Sequence, residues 1–369
     1  TNFVNLPSKS YIIPEPLGKV LVISAWNYPY LISLIPAISA IAAGNTVVVK
    51  PSEITINCSN IISKLINTNF PENYFTVIEG GVDTTTELLK EKWDKIFFTG
   101  SSTVGKIIYK AAADKLTPVT LELGGKSPTF VLNDCNINMT AKRIAWAKFF
   151  NAGQTCIAPD YILVEKKIEQ KLLEAVKKEI KNNYSNTDTV NENYVQIINE
   201  RHFQRLTNLI PTDRIYSGGE YNVEERIINP TILHNIDFED DIMKDEIFGP
   251  ILPIISFDNL NETIANIKKK DKPLSLYIYS NDKKRIKKLL NEISFGGGAI
   301  NDSLVHLLNP NLPFGGVGAS GIGSYHSKAG FDTFTHYKSI LHKSFLFEPN
   351  IKYKPYSKLK KKILKFLLE

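Results

Sequence analysis

Three cysteines in 369 residues (Cys58, Cys135 and Cys156) are too few for a disulfide framework and point to a reducing, cytoplasmic compartment. None has a Cys-x-x-Cys partner, and the six histidines show neither His-Glu-x-x-His nor His-x3-His spacing, so no metal site is expected. No apolar run approaches the roughly 20 residues needed to span a bilayer. The Gly-x-Gly-x-x-Gly fingerprint of ordinary dinucleotide folds is missing. Excess basic charge is confined to one place. From Lys343 onward, eight lysines against Glu348 and Glu369 account for the whole net charge of +6 and leave the first 342 residues balanced. A nucleic-acid partner, which would want basic side chains spread over a folded face, is therefore not expected. The chain opens on Thr1 with no charged-then-apolar leader, and we expect a processed chain or a fragment.

What is present is an alternation of strand and helix signals. Apolar, β-branched runs fall at Val20–Ile23, Thr46–Val49, Phe75–Ile78, Lys95–Phe98 and Pro118–Leu121. Between them lie helix-length stretches at Leu31–Ala43, stopped by Gly44, from Glu53 to about Ile66 with Ser52 as cap, and at Thr84–Lys90 and Thr103–Ala113. Such βα repeats predict an α/β fold with a Rossmann-like parallel sheet whose ligands bind beyond the carboxyl ends of the strands. The second half predicts strands at Thr129–Leu132, Asp160–Val164, Ile251–Ile255, Ser275–Ser280 and Ala299–Asn301. Helices are predicted from about Met139 to Phe150 and over 166–182, 260–270 and 282–292, with an Asn-rich surface connection at 183–195.

Several motifs could carry chemistry, and each has a bland alternative. Gly100-Ser101-Ser102-Thr103-Val104-Gly105-Lys106 comes after a strand and opens a helix, as a phosphate cradle should, but equally suits a structural turn. Ile107 stands where a nucleoside-triphosphatase loop needs a hydroxyl for Mg²⁺. Lys50 and Glu53 sit at the end of a strand, where they could meet ribose hydroxyls or form a solvated capping turn. Asn27, in Ala25-Trp26-Asn27-Tyr28-Pro29, could donate to an oxyanion or be a loop asparagine. Cys156 in Asn151-Ala-Gly-Gln-Thr-Cys156-Ile-Ala-Pro159 could be a nucleophile or a buried thiol. Glu122, in Leu121-Glu-Leu-Gly-Gly-Lys126, could activate the water that releases an acyl group from it. Glu246 and Phe248, in Asp245-Glu-Ile-Phe-Gly-Pro250, are non-specific alone. Cys58, in a helical pattern, reads as structural, and Cys135, in an Asn-Asp-Cys-Asn turn, as incidental.

Order and spacing add what the single motifs lack. From about Glu15 to His336 the chain resembles the aldehyde dehydrogenase superfamily, and within it the class 3 group that includes the fatty aldehyde dehydrogenases. The carriers are Glu15-Pro-Leu-Gly18, Ala25-Trp-Asn-Tyr-Pro29, Ala42-Ala-Gly-Asn45, Lys50-Pro-Ser-Glu53, Phe98-Thr-Gly-Ser101 and Glu122-Leu-Gly-Gly-Lys126. Gly153-Gln-Thr-Cys-Ile-Ala-Pro159, Glu246-Ile-Phe-Gly-Pro250 and Pro313-Phe-Gly-Gly-Val-Gly318 complete the order. Arg201-His-Phe-Gln-Arg205, Ser324-Tyr-His326 and Phe331-Asp-Thr-Phe-Thr-His336 point to class 3.

The resemblance implies oxidation of medium- or long-chain aliphatic or aromatic aldehydes to acids. Cys156 would be the nucleophile, Asn27 and the Cys156 N–H the oxyanion donors, and Glu122 the base, with Glu246 as a second candidate. Lys50 and Glu53 would meet the adenosine ribose, Gly100–Gly105 the pyrophosphate, Trp26 and Phe98 the cofactor cleft, and Glu246 and Phe248 the nicotinamide ribose side. Glu53 favours NAD, since a 2′-phosphate would face its charge, although class 3 members often accept NADP too. The expected domains are a cofactor-binding one over 1–121, a catalytic one over 122–315, a dimerisation and packing segment over 316–345 and a basic tail over 346–369. Family members carry a longer helical segment ahead of the Glu15 region, so a truncated N-terminus is expected. Leu359, Ile363, Phe366 and Leu367 recur at helical spacing among lysines in the tail, which suits peripheral contact with an anionic membrane as well as a plain exposed terminus. A cofactor-free thiol hydrolase and an inactive scaffold are the rival readings.

Overall fold

The computed structural model describes residues 7–186, 189–190, 194–348 and 350–368. They fall into two units, one formed by residues up to Leu17 with those from Thr335 on, the other by Gly18–Phe334. In the first, strand β1 (Ser8–Pro16) pairs antiparallel with Thr335–Lys343, and Lys338 meets Glu15 at 2.5 Å. This ribbon has no counterpart among the predicted strands. Two prolines in β1 and a mostly polar partner strand give little apolar alternation to detect.

The larger unit is built on two sheets. The first opens with β2 (Lys19–Ile23), α1 (Pro29–Ala42) and β3 (Thr46–Lys50). It continues through α2 (Ile56–Asn69), β4 (Phe75–Val77), α3 (Val82–Lys90), β5 (Lys95–Thr99), α4 (Ser102–Ala113) and β6 (Val119–Glu122). The spatial order is Gly321–Ile322, β6, β5, β2, β3, β4, and every pair is parallel except the first. Val20, Leu21 and Val22 are fully buried in the centre of this sheet, as a strand covered by helices on both faces requires. These strands and helices lie within a few residues of their expected positions. Ser52 caps as expected, its Oγ accepting from Ile54 N at 3.3 Å, but the turn Glu53–Thr55 is 3₁₀ before α2 begins.

The second sheet uses β7 (Pro128–Val131), α5 (Ile137–Phe149), β8 (Tyr161–Glu165) and α6 (Glu169–Tyr184). Its order is Ile215–Ser217, Thr231–Leu233, Ile251–Phe257, β8, β7, Ser275–Tyr279, Gly297–Ile300. The short edge strand Ile215–Ser217, its neighbour Thr231–Leu233 and the helix α7 (Glu200–Thr207) were not foreseen, since three-residue strands carry too few alternations to register. The expected surface connection at 183–195 begins two residues late, because α6 runs on to Tyr184; 187–188 and 191–193 lie outside the described residues.

Asn45 joins three parts of the larger unit. Its Oδ1 accepts from Gly18 N at 2.8 Å, and its Nδ2 donates to Ala40 O at 2.9 Å and Phe334 O at 3.0 Å, with 1 % of the residue exposed. Replacing Asn45 by Ala strands one buried donor and two acceptors, and should lower the denaturation free energy by about 2–4 kcal/mol. Urea titration followed by tryptophan fluorescence checks this.

Candidate active site

In a parallel sheet every strand releases its chain at the same edge, so the residues just past the strand ends are gathered whatever their separation in sequence. Here Ile23 pairs with Lys50 on one side and Phe98 on the other, and Thr99 pairs with Glu122. Trp26 and Asn27 come after β2, Glu53 after β3, and Gly100 to Gly105 after β5, all at this edge. Lys50 Nζ lies 2.7 Å from Glu53 Oε2, with the lysine side chain buried and 47 % of the glutamate side chain exposed. Burial works against the Glu53 carboxylate, but the Lys50 bond, the Glu53 backbone N–H and the Lys50 charge together hold the group below the ordinary carboxylate range.

The loop from Gly100 meets α4 with Ser101 as cap, its Oγ accepting from Val104 N at 3.3 Å. The remaining first-turn N–H groups of α4 point past the sheet edge, where an anion is stabilised. Gly100 is sterically required, because a Cβ there would lie 2.5 Å from the Phe98 ring. Gly105 lets α4 approach Leu123, whose Cδ2 would be 2.7 Å from a Cβ.

Cys156 is reached through an unusual backbone. α5 ends at Phe149, and Asn151, Ala152 and Gly153 then take φ of 52°, 50° and 73°. Gln154, 3 % exposed, anchors this turn: its Nε2 donates to Asn151 O and Gln196 O, each at 3.2 Å, and its Oε1 accepts from Ile198 N at 3.0 Å. Its own carbonyl accepts from Asn27 Nδ2 at 3.1 Å. Asn27 is thereby tied to the cysteine loop with one of its two amide hydrogens, leaving the other for an oxyanion. Tyr28, unremarked in the sequence, shares a 2.6 Å hydrogen bond with Thr155, and Tyr277 Oη donates to Ile157 O at 2.7 Å.

A second loop faces the thiol. Lys126 Nζ lies 2.5 Å from Asp160 Oδ2 and donates to Ile242 O at 3.0 Å and Asp245 O at 2.8 Å. Asp160 Oδ1 accepts from Ile247 N at 2.9 Å, and Arg205 Nη2 donates to Ile247 O at 2.6 Å. These bonds set the Glu246–Phe248 segment, with Phe248 at φ 51° and its ring edge-on to Trp26 at 5.4 Å. Glu246 rests on the turn after Glu122, since a Cβ on Gly124 would fall 1.9 Å from Glu246 Oε2. The two loops touch through backbone: a Cβ on Gly153 would be 2.3 Å from Gly249 O.

Burial favours the neutral forms of the thiol and of the two carboxyl groups beside it. Burial raises the Cys156 thiol above its usual range, and Glu246 and Glu122 reinforce this, against the N–H groups of Cys156 and Ile157, which favour the thiolate. Glu122 is 3 % exposed, neither carboxyl oxygen has a hydrogen-bond partner, and burial raises it well above the carboxylate range. Burial, then Asp160, push Glu246 up to about 8. With Cys156 partly buried and carboxyl groups nearby, the thiol is favoured over the thiolate. Cys58, in α2, and Cys135, after β7, are also free thiols. Among the described residues no group of three or more His, Cys, Asp or Glu could hold a metal.

Beside Asn27 opens a cavity of about 450 Å³ lined mostly by apolar and aromatic side chains, including Tyr28, Leu31, Phe149, Phe150 and Tyr194. The aldehyde dehydrogenase family model matches residues 3–340. A 4,4'-diaponeurosporen-aldehyde dehydrogenase of Staphylococcus aureus is 50 % identical over 352 residues, spanning 95 % of this chain and 77 % of that protein. A dimeric NADP-preferring aldehyde dehydrogenase of Rattus norvegicus is 49 % identical over 338 residues, spanning 92 % and 75 %. The solved substrate-bound state of Staphylococcus aureus AldH superposes with a TM-score of 0.97 at 48 % identity, over 100 % of this chain and 81 % of that one. The chain belongs to the aldehyde dehydrogenase family, within its class 3 group, and is an NAD(P)-dependent oxidoreductase that converts aldehydes to carboxylic acids.

Proposed function

We propose that Cys156, Asn27 and Glu122 perform this oxidation on medium- or long-chain aliphatic or aromatic aldehydes. The observation that carries the reading is the pairing of a thiol faced by two backbone N–H groups with a buried carboxyl that has no other partner. The Cys156 thiol gives its proton to solvent, Sγ attacks the carbonyl carbon, and the oxygen takes the electron pair under the Cys156 N–H and the second Asn27 amide hydrogen. NAD(P), held by Trp26, Lys50, Glu53, Phe98, the Gly100–Gly105 turn, Glu246 and Phe248, would supply the hydride acceptor, and Cys156 would then carry the acyl group as a thioester. Glu122, once deprotonated, takes a proton from water; the hydroxyl adds to the thioester, the C–S bond breaks, and acid and thiol are released. The aromatic cavity beside Asn27 supports apolar substrates.

The sheet of β2 to β6 is the proposed cofactor domain, with the Ser101-capped end of α4 under the pyrophosphate and Lys50 and Glu53 at the adenosine ribose. Trp26, Phe98, Glu246 and Phe248 complete its cleft. The antiparallel ribbon of β1 exposes Tyr11 and Ile12, 46 % and 65 % accessible, which supports a homodimer formed across it. In the tail, the helix Lys358–Leu368 sets Leu359 and Phe366, 67 % and 84 % exposed, among lysines, which supports peripheral contact with an anionic membrane. No helix among the described residues is long and apolar enough to cross one.

Cys156→Ser should lower NADH production by about two to three orders of magnitude, a hydroxyl being the poorer nucleophile. Glu122→Gln should instead give one burst of NADH per site and then stall. Because Glu122 and Glu246 ionise only above the ordinary carboxylate range, wild-type turnover should climb from neutral to alkaline pH. Ester hydrolysis that ignores NAD, with no NADH formed from any aldehyde, would defeat the assignment.

Glu53→Gln removes the charge opposing a 2′-phosphate and should raise the NADP over NAD ratio of kcat/KM by about tenfold, read in parallel assays. Vesicles rich in phosphatidylserine should sediment the protein while neutral ones should not, and removing residues 358–369 should end this. Without vesicles, light scattering should report a dimer.

A further inference from the structure

Two consecutive residues after β2 hold two consecutive residues of the cysteine loop. Asn27 Nδ2 donates to Gln154 O at 3.1 Å, and Tyr28 Oη shares a 2.6 Å hydrogen bond with Thr155 Oγ1. Tyr28 is the chain neighbour of the proposed oxyanion donor, and Thr155 is the chain neighbour of the proposed nucleophile. The first bond alone would leave the Asn27 amide free to pivot about one point. The second, one residue further along both segments, removes that pivot. Asn151 braces the pair from within the loop, its Nδ2 donating to Asn27 O at 3.2 Å and to Gln154 O at 3.3 Å. It reaches the Tyr28 hydroxyl as well.

Thr155 is also the first corner of the turn that carries the sulfur. Its carbonyl accepts from Ala158 N at 3.0 Å, which puts Cys156 at the second position of that turn. At the third position, Ile157 O accepts from Tyr277 Oη at 2.7 Å. The turn is thus pinned on both sides of Cys156 by tyrosine hydroxyls. Thr155 is only 7 % exposed, so water is poorly placed to replace Tyr28 there. The Tyr28 ring lies at 15° to that of Phe150, centroids 6.5 Å apart, and both rings line the cavity beside Asn27. Ring and hydroxyl therefore do different work: one belongs to the cavity wall, the other to the loop. Resting on the reading of the site given above, we propose that Tyr28 and Thr155 are positioning residues whose shared hydrogen bond fixes the Asn27 amide relative to Cys156 Sγ. An oxyanion donor acts only within hydrogen-bonding reach of the developing charge, so a displacement of about 1 Å is felt in the rate rather than in binding.

Tyr28→Phe keeps the ring in the cavity wall and deletes only the hydroxyl. Both kcat and the first-turnover rate of NADH formation should fall about tenfold, with KM for the aldehyde within about twofold of wild type. Thr155→Val should act in the same direction, and Thr155→Ser, which keeps a hydroxyl, should restore the rate. Adding Thr155→Val to Tyr28→Phe should cost no more than about a further twofold, because the two residues share one bond. Alkylation of Cys156 by iodoacetamide forms no oxyanion, so its rate in Tyr28→Phe should stay within about twofold of wild type. A general loosening of the loop would change that rate too. Full kcat in Tyr28→Phe, losses that multiply in the double variant, a raised KM in place of a lowered kcat, or altered alkylation would each overturn the proposal. If the Thr155 variants do not fold, Tyr28→Phe alone decides through its kcat, KM and alkylation rate. Absence of aldehyde-dependent NADH from wild-type protein would sink the assignment of the site and this proposal with it. A wild type that turns over beside an equally fast Tyr28→Phe removes the positioning role alone.

Discussion

Between the turn after β6 and the residue ahead of β8, Lys126 and Asp160 meet at 2.5 Å in a region where Asp160 is 3 % exposed. Burying two charges is costly, and such a pair persists where its remaining hydrogen-bonding capacity is used. Here it is used on backbone: Ile242 O, Asp245 O and Ile247 N are all taken up by this one pair. The segment carrying Glu246 and Phe248 has no regular secondary structure to hold it, and Phe248 adopts a left-handed backbone that only surrounding contacts sustain. Apart from the Lys126–Asp160 bridge, Arg205 on Ile247 O and the Gly125 N–H on Glu246 are polar ties on this segment.

The cysteine loop is held by a comparable device with neutral partners. The buried side chain of Gln154 donates both amide hydrogens, to Asn151 O and Gln196 O, and accepts from Ile198 N, while its backbone carbonyl receives Asn27. The proposed nucleophile and oxyanion donor are thus parts of one hydrogen-bonded unit, although Asn27 comes from the first sheet and Cys156 from the second. Gly153 and Gly249 lack side chains where the two loops cross, which lets a charge-anchored loop and an amide-anchored loop share one wall.

The resulting microenvironment favours uncharged groups at rest. Thiol, Glu122 and Glu246 are all pushed toward their neutral forms by burial. Once Glu122 is protonated, its opposition to the thiolate vanishes. The N–H groups of Cys156 and Ile157 are the fixed features that favour negative charge, and they do so at the sulfur.

The strands β2 to β8 and the helices between them were legible in the residues, because a strand covered on both faces must be a continuous apolar run and a helix must stop at a cap such as Gly44. Although Cys156 follows a helix and Glu246 precedes a strand, the gathering of Asn27, Lys50, Glu53 and Glu122 was legible for a related reason, since parallel strands deliver the loops at their carboxyl ends to one shared edge. The β1 ribbon, the three-residue strands and α7 were not, being too short or too polar to carry a period. Nor could the sequence announce Asp160, Gln154 and Tyr28. Each is an ordinary polar residue until a neighbour from a distant segment supplies its partner. Identity and order of the reacting groups are properties of the chain. Their burial, their ionisation and their mutual support depend on which surfaces exclude water together, and only the packed tertiary structure decides that.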